Sequence, residues 1–306
     1  MYHSFIGIDI SKDEFHVAIF GNEKVSQYKN NKHGFKKLCD EHNILSSLVV
    51  LEATGGYEDS LIKYLHECNI AVHKANPKVI KSFIRSLCKL GKSDKIDARG
   101  LARYAKERHE DLHQHISKSD VEQELLELTN RRIELKQMLT QEKNRLKGPA
   151  NNFCKNSNNT IISAIETEIE RLKIRLKDLL DQNEKIKAKV KLLADEIAGV
   201  GETTAISLIS LFPELGELNR RQVASLGGVA PHPYESGKKI GYRQVRGGRQ
   251  FIKPILFMSA LTAARSKGNL GDFYRRLIAN GKKPMVALVA VMRKILVIAN
   301  AKLKVA

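Results

Sequence analysis

Two acidic residues lie three positions apart in a strongly basic stretch of the sequence. Residues 74–106 contain ten Lys or Arg residues but only two acids, Asp94 and Asp97. Positions i and i+3 share one face of a helix, where two carboxylates repel each other unless a cation lies between them. Lys95 or Arg99 can neutralise the pair, and a hard divalent cation can also bind clustered carboxylate oxygens. The spacing alone leaves a charged surface and a metal site as alternatives.

Two further acids lie at the ends of predicted strands. Asp9 is part of "GIDIS", where alternation places Ile8 and Ile10 on the opposite side of the strand, and Glu52 ends "LVVLE" before a Gly-Gly turn. Acids at strand ends also cap turns. A sheet of the RNase H type, however, brings its first strand, a later strand and a following helix to one site. Four carboxylates there can hold two Mg²⁺ ions, which stabilise the attacking and leaving oxygens of a phosphodiester.

A serine in the second half of the chain is surrounded by cations. Ser236 precedes Gly237 in "PHPYESGKKIGYRQVRGGRQFIKP", and residues 236–271 contain eight Lys or Arg residues and no acid. A Ser-Gly pair is most often a plain turn. A serine that attacks a phosphate needs cations to stabilise the developing charge, and this segment supplies them. The residues alone leave a turn and a nucleophile as alternatives.

The overall charge indicates a polyanionic partner. The 306 residues include 52 Lys or Arg and 34 Asp or Glu, a formal net charge of +18 at pH 7. Nucleic acid is the commonest such partner, with ribosomes and anionic membrane surfaces as alternatives. We expect the cations near the two candidate sites to hold nucleic-acid phosphates, namely Lys92, Lys95, Arg99, Lys238, Lys239, Arg243, Arg246 and Arg249.

Cysteine usage and hydropathy favour a cytoplasmic protein without a membrane partner. The four cysteines lack paired metal-ligand spacing and are expected to be reduced thiols. No signal peptide is recognised at the start of the sequence. The apolar run "PMVALVAVMRKILVIANA" is interrupted by Arg293 and Lys294, so we expect a buried helix and no membrane span.

The periodicity of apolar residues changes twice along the chain and predicts three domains. Residues 1–112 have short β-rich runs with intervening helical segments, which predicts one layered α/β domain. Residues 113–196 have apolar residues at steps of three and four on both sides of "GPANNFCKNSNN", which we expect to break the helix. Residues 197–306 are predicted to be helical.

Two features of the helical regions bear on function. The apolar series from Ile162 to Ile197 passes through Asn183 and predicts a heptad seam of a coiled coil, in which a buried Asn would fix the register. Packing of these helices against their own globular domain is the alternative. Gly199 and Gly201 lie between two predicted helices, as in helix-hairpin-helix DNA modules that bind a phosphate at a helix start, or as in an ordinary connector.

The motifs, taken in order, resemble those of DEDD-type insertion-sequence transposases, the insertion sequence 110 (IS110) family of bridge-RNA-guided recombinases. "GIDISK", "LEATGGYE" and "KSDKIDARGLA" resemble the acid motifs of its RuvC-like amino-terminal domain. "GVG", "LGGVAPHPYESGKK" and "VRGGRQFIKPILFMSALTAAR" resemble its carboxy-terminal transposase domain, and so does "FYRRLIANGKKPMVALVAVMRKIL".

This resemblance implies an RNase H/RuvC-like α/β domain, central coiled-coil helices and a helical domain with a helix-hairpin-helix-like element. It implies Asp9, Glu52, Asp94 and Asp97 as a tetrad that binds Mg²⁺ or Mn²⁺, with Ser236 as the nucleophile. It also implies donor DNA, target DNA and a structured guide RNA as partners. The protein would be a homo-oligomer, a dimer or a tetramer, in which the serine of one subunit could meet the acids of another.

Other functions fit parts of the same pattern. A RuvC-like nuclease would use the acids with a metal-activated water and Ser236 only as a turn residue. A non-enzymatic nucleic-acid-binding protein would use the acids only to balance charge. A sugar kinase of the actin-like class can also begin with a strand like "GIDIS", but the charge of +18 and the lack of a second phosphate loop oppose it.

Overall fold

The computed structural model describes most of the chain as two compact units, Met1–Lys118 and Ser119–Ala306. The predicted division into three domains stays a prediction. Two residues expected to bind nucleic acid, Lys92 and Lys238, lie outside the described residues. The residues described are 2–42, 44–87, 91, 93–116, 119–149, 151–236, 239–241, 243–249 and 251–305.

A mixed five-stranded sheet forms the centre of the first unit. Its strands are β1 (Ser4–Ile10), β2 (Glu14–Ile19), β3 (Val25–Lys29), β4 (Ser47–Glu52) and β5 (Ala71–Ala75). Their spatial order is β3-β2-β1-β4-β5. The first three strands are antiparallel neighbours, whereas β4 runs parallel to both β1 and β5. This sheet is compatible with the RNase H-like domain expected from the sequence.

Helices cover both faces of this sheet because its strands alternate apolar residues between two cores. On one face, Ile8 and Leu51 pack in a core with residues of α1 (Lys32–Glu41) and α2 (Asp59–Glu67). On the other face, Phe5, Leu48 and Val50 pack with residues of α3 (Pro77–Ser86) and α4 (Asp94–Arg108). The second face is the one that Asp9 and Glu52 share, as described below.

The second unit begins with a long helical hairpin. Helices α5 (Asp120–Leu146) and α6 (Asn152–Asp181) are antiparallel, as their cross-helix ion pairs Lys143–Glu166 and Arg175–Glu124 require. Leu135 packs between Ile165 and Ile169 in a small core of the hairpin. The helix break that we expected over "GPANNFCKNSNN" is shorter than expected, because α5 ends at Leu146 and Asn152 already begins α6.

The expected continuous heptad seam is interrupted at Asn183. This residue is the N-cap of α7 (Glu184–Glu196), where its side chain accepts a hydrogen bond from the backbone N–H of Ile186 at 3.1 Å. The prediction that Asn183 lies buried within one continuous coiled-coil helix is therefore wrong. Seam residues such as Leu179 and Leu193 instead pack in the core of their own unit, which was the alternative interpretation. A coiled coil between copies of the chain stays a prediction.

The remaining helices enclose the main core of the second unit. They are α8 (Glu202–Leu211), α9 (Arg220–Leu226), α10 (Ile252–Arg265), α11 (Asn269–Ala279) and α12 (Pro284–Val305). In the part of the chain that the structure describes, α12 is the one helix long and apolar enough to cross a membrane by length and composition. Val291, Ile295 and Ala299 are each 0% exposed in this core, as expected for a buried helix. A phosphate-binding role for the connection between α7 and α8 stays a prediction.

Candidate active site

Two of the predicted acids lie side by side at the carboxyl edge of the sheet. Strands β1 and β4 are parallel neighbours with Ile8 opposite Leu51, so the next positions in this register are Asp9 and Glu52. Both acids are half-buried. Ile8 and Leu51 face the core formed with α1 and α2. Since side chains alternate along a strand, Asp9 and Glu52 face the opposite side, where α4 lies.

Helix α4 rests directly on β1, and Gly7 makes this close approach possible. A Cβ atom on Gly7 would lie 2.1 Å from the backbone N of Ala102 and 2.2 Å from the carbonyl O of Ala98. Towards the start of β1, Phe5 lies near the end of α4, with the Lys106 Nζ 4.9 Å from its ring centroid. The helix therefore runs antiparallel to β1, and its first turn lies towards the end of the strand that carries Asp9.

The first turn of α4 contains the other two acids. Ser93 is the N-cap, and its hydroxyl oxygen accepts a hydrogen bond from the Ile96 N–H. Asp94 is exposed and Asp97 is half-buried, and both lie where the positive end of the helix dipole favours anions. The fold thus brings all four predicted acids to one end of one face of the sheet. The acids come from β1, β4 and α4, as the RNase H-type interpretation requires.

His16 belongs to the same cluster, although we did not predict it. It lies directly opposite Asp9 in the antiparallel pair of β1 and β2. The His16 Nδ1 lies 3.8 Å from the Asp94 Oδ2, and His16 is only 8% exposed. This contact links the edge of the sheet to the first turn of α4. The hairpin predicted around "SKDE" could have identified His16, because its register pairs residue 16 with residue 9.

The turn that follows Glu52 is held by a buried carboxylate. Glu58 is 1% exposed and accepts hydrogen bonds from the Thr54 N–H, the Thr54 hydroxyl and the Gly56 N–H. The Lys74 Nζ lies 2.8 Å from the other carboxylate oxygen of Glu58. Burial acts to raise the pKa of Glu58, but hydrogen bonds from Lys74, the backbone and Thr54 outweigh it and lower that pKa to about 2. Glu58 is therefore a carboxylate with a structural role beside the candidate site.

The carboxylate oxygens of Asp9, Glu52, Asp94 and Asp97 are the type of ligand that Mg²⁺ and Mn²⁺ prefer. Within the described ranges, no group of three or more His, Cys, Asp or Glu side chains is close enough to hold a metal ion as it stands. The backbone therefore places the four acids on one face, while a ligand arrangement for a metal stays a prediction.

Ser236 lies in a β-ribbon of the second unit. We call residues 231–245 the serine ribbon. Strands β6 (Pro231–His232) and β9 (Gln244–Val245) pair near its base, and β7 (Glu235–Ser236) and β8 (Lys239–Ile240) pair towards its tip. The backbone of Ser236 lies opposite that of Lys239. Residues 231–235 are all exposed, so the ribbon extends from the helical core.

The predicted nucleic-acid-binding cations differ in their surroundings. Lys95 and Arg99 are exposed on α4, and Arg99 donates a hydrogen bond to the Glu23 carbonyl oxygen. Arg243 and Arg246 are exposed near the base of the ribbon, where Arg246 contacts side chains within the ribbon. Arg249 is half-buried and forms an ion pair with Glu214. Binding of nucleic acid by these cations stays a prediction.

Comparison with known proteins gives the same family for both units. Residues 6–151 match a DEDD-type IS110 model described as a transposase, and residues 192–275 match the model described as transposase IS116/IS110/IS902 family. The pilin gene-inverting proteins of Moraxella lacunata and Moraxella bovis are each 27% identical over 315 residues, which covers 99% of this chain and 97% of theirs. The chain therefore carries the transposase domains of the IS110 family.

Proposed function

We propose that the protein cuts and rejoins DNA strands through attack of the Ser236 hydroxyl on a phosphodiester bond. Its IS110-family domains make it an enzyme that acts on DNA. The observation that supports this chemistry most is the convergence of Asp9 and Glu52 with the first turn of α4 on one face of the sheet. Such an acid cluster beside exposed cations suits a phosphodiester substrate.

The chemical step assigns a role to each group. Asp9, Glu52, Asp94 and Asp97 would hold Mg²⁺ or Mn²⁺, which when bound neutralises negative charge at the phosphate. The Ser236 Oγ forms a bond to phosphorus, and the bond from phosphorus to the leaving deoxyribose oxygen breaks. Ser236 loses its proton, and the leaving oxygen takes one up. The resulting phosphoserine ester conserves the bond energy, so rejoining to a second DNA end needs no ATP.

The proposed partners follow from the family and from the charge. Donor and target DNA are the substrates, and a structured guide RNA would pair with both, as the sequence resemblance implies. A net charge of +18 suits the binding of several nucleic-acid strands. The relatives named pilin gene-inverting proteins support inversion of a DNA segment as one outcome. The protein would act in the cytoplasm at the nucleoid, as a dimer or a tetramer.

A nuclease that uses water is the second candidate, and one observation favours it. The four acids and His16 all belong to the first unit, whereas Ser236 belongs to the second. A water molecule could then take the place of Ser236 as the nucleophile, with no covalent link between protein and DNA. The two candidates differ in whether Ser236 is essential.

Trapping of the covalent intermediate separates the two candidates. The protein is incubated with guide RNA, Mg²⁺ and a nicked DNA substrate that cannot rejoin, and it is then denatured and digested for mass spectrometry. We expect an adduct on Ser236, and we expect Ser236→Ala to bind DNA but to lose both cleavage and adduct. Ser163→Ala, on the exposed face of α6, is the matched control and should behave as the wild type. Cleavage that survives in Ser236→Ala would establish the water-dependent nuclease instead.

A further inference from the structure

The two ends of the segment that carries the serine ribbon meet through glycine backbones. A Cβ atom on Gly248 would lie 2.1 Å from the backbone N of Gly228, and one on Gly228 would lie 2.3 Å from the Gly247 carbonyl oxygen. Gly228 and Gly248 have φ angles of +64° and +71°, which glycine adopts without strain. The chain thus leaves the helical core and returns to it at one tightly packed crossing.

Arg249 follows this crossing directly and binds it to the core. Its backbone N–H donates to the Leu226 carbonyl oxygen at 2.8 Å. Its guanidinium donates to the Leu211 carbonyl oxygen at 2.6 Å and to both carboxylate oxygens of Glu214 at 2.9 and 2.5 Å. The guanidinium carbon also lies 4.9 Å from the ring centroid of Phe212, a core residue that is 1% exposed. One side chain therefore joins the base of the ribbon to the end of α8.

From these contacts we propose that Arg249 and Glu214 are positioning residues for Ser236. The proposal rests on the proposed role of Ser236 as the nucleophile. Because residues 231–235 of the ribbon are exposed, its direction depends on contacts at the base. Arg249 supplies those contacts, and Glu214 aligns its guanidinium. Nucleophilic attack requires the reacting oxygen within a narrow range of positions, so a loose base lowers the rate of attack.

The same contacts distinguish Arg249 from its neighbours. Arg243 and Arg246 are exposed, and Arg246 contacts only Gln244 and Tyr234 of the ribbon among its described contacts. The guanidinium of Arg249 instead makes three hydrogen bonds to the end of α8 and stacks on Phe212 of the core. A planar guanidinium can pair with both carboxylate oxygens and stack on a ring in this way, and a lysine ammonium cannot reproduce that planar pairing. Arg249 is thus committed to positioning the ribbon, while Arg243 and Arg246 stay candidates for contacts with DNA phosphates.

Arg249→Lys tests this assignment because it keeps the charge and removes the planar fork. We expect single-turnover cleavage at saturating DNA to slow by about tenfold to a hundredfold. The DNA dissociation constant should stay within about twofold of the wild-type value. The slope of log K against log salt should be unchanged. Hydrogen exchange of the Gly241 N–H, which donates to the Tyr234 carbonyl oxygen within the ribbon, should become faster. Arg265→Lys, an exposed arginine on α10, is the matched control.

Glu214→Gln provides a second test that does not alter Arg249 itself. It should slow cleavage to a similar extent, and the double variant should be no slower than the slower single variant, since both changes disrupt one contact. Normal cleavage in both single variants would overturn the proposal. A salt slope that falls by about one in Arg249→Gln would overturn it too, because that result identifies a phosphate contact.

Ser236→Ala, assayed alongside, separates the failure of this inference from that of the proposed function. If Ser236→Ala is inactive while Arg249→Lys and Glu214→Gln cleave normally, the serine is the nucleophile and the positioning pair is refuted. If Ser236→Ala still cleaves, the proposed function fails and the positioning role fails with it.

Discussion

Glu58 allows a quantitative test of the turn that follows Glu52. Burial acts to raise the pKa of Glu58, but Lys74, the backbone and Thr54 together lower it from 4.5 to about 2. A shift of this size corresponds to about 3 kcal/mol of stabilisation by the ionised form. The side chain is almost fully buried, so solvent screens this interaction little.

We expect Glu58→Gln to destabilise the first unit by about 2–3 kcal/mol at pH 7. The glutamine keeps one acceptor oxygen but lacks the charge, and its amide donors would face the Lys74 ammonium. Since the folded-state pKa of Glu58 is depressed, its stabilisation is fully present above its ordinary pKa of 4.5 and is lost as the pH falls through about 2. The difference in stability between wild type and variant should therefore be largest above about pH 5 and should shrink below it.

Denaturant unfolding of the full-length chain at pH 7, 5 and 3 measures this difference. Hydrogen exchange at the Thr54 and Gly56 amides, which donate to Glu58, assigns the loss to the turn. Glu67→Gln, on the exposed side of α2, is the matched control. If Glu58→Gln and Glu67→Gln are equally stable at pH 7, or if the deficit of Glu58→Gln grows as the pH falls, then Glu58 does not hold the turn as described.

Three further outcomes can be measured. Removal of divalent metal by EDTA should abolish strand cleavage, and full activity in EDTA would exclude the metal site. The same loss is expected for each of the variants Asp9→Asn, Glu52→Gln and Asp97→Asn. Replacement of Arg243 and Arg246 together by glutamine should reduce the slope of log K against log salt by about two units; an unchanged slope would indicate base contacts. Asn183→Ala should cost about 1 kcal/mol through loss of the α7 N-cap with an unchanged oligomeric mass, whereas a gain in stability would restore the coiled-coil interpretation.

The distribution of apolar residues along the sequence was sufficient to predict much of the first unit. Strands such as "SFIGIDI" and "SLVVLE" alternate or concentrate apolar residues strongly, and the register of two parallel neighbours then aligns Asp9 with Glu52. Strand β3, "VSQYK", was not predicted, because it is a polar edge strand with one buried residue and so lacks a clear pattern. A strand buried on both faces reads as a nearly continuous apolar run and is easily recognised, whereas a short, mostly exposed edge strand gives no such run.

Contacts between distant parts of the chain were not readable from the sequence. Arg249 was grouped with phosphate-binding cations because its neighbours are basic, and its partner Glu214 is 35 positions away. Asn183 fitted the heptad spacing, but an Asn that caps a helix fits the same spacing, and only the break between α6 and α7 decides between them. Arg132 follows the spacing of the apolar residues Leu128 and Leu135 although it is charged, and in the structure it is buried and donates to the Ser207 hydroxyl of α8.

The contact between Gly7 and α4 has a consequence for protein engineering. Main-chain atoms meet there, so the spacing between the strand and the helix is set by atoms that all residue types share. The position of Asp9 relative to α4 is then independent of the length of residues 88–92, which precede the Ser93 cap. Insertions or substitutions in residues 88–92 would therefore change the cations there, such as Lys92, while the carboxylates keep their places.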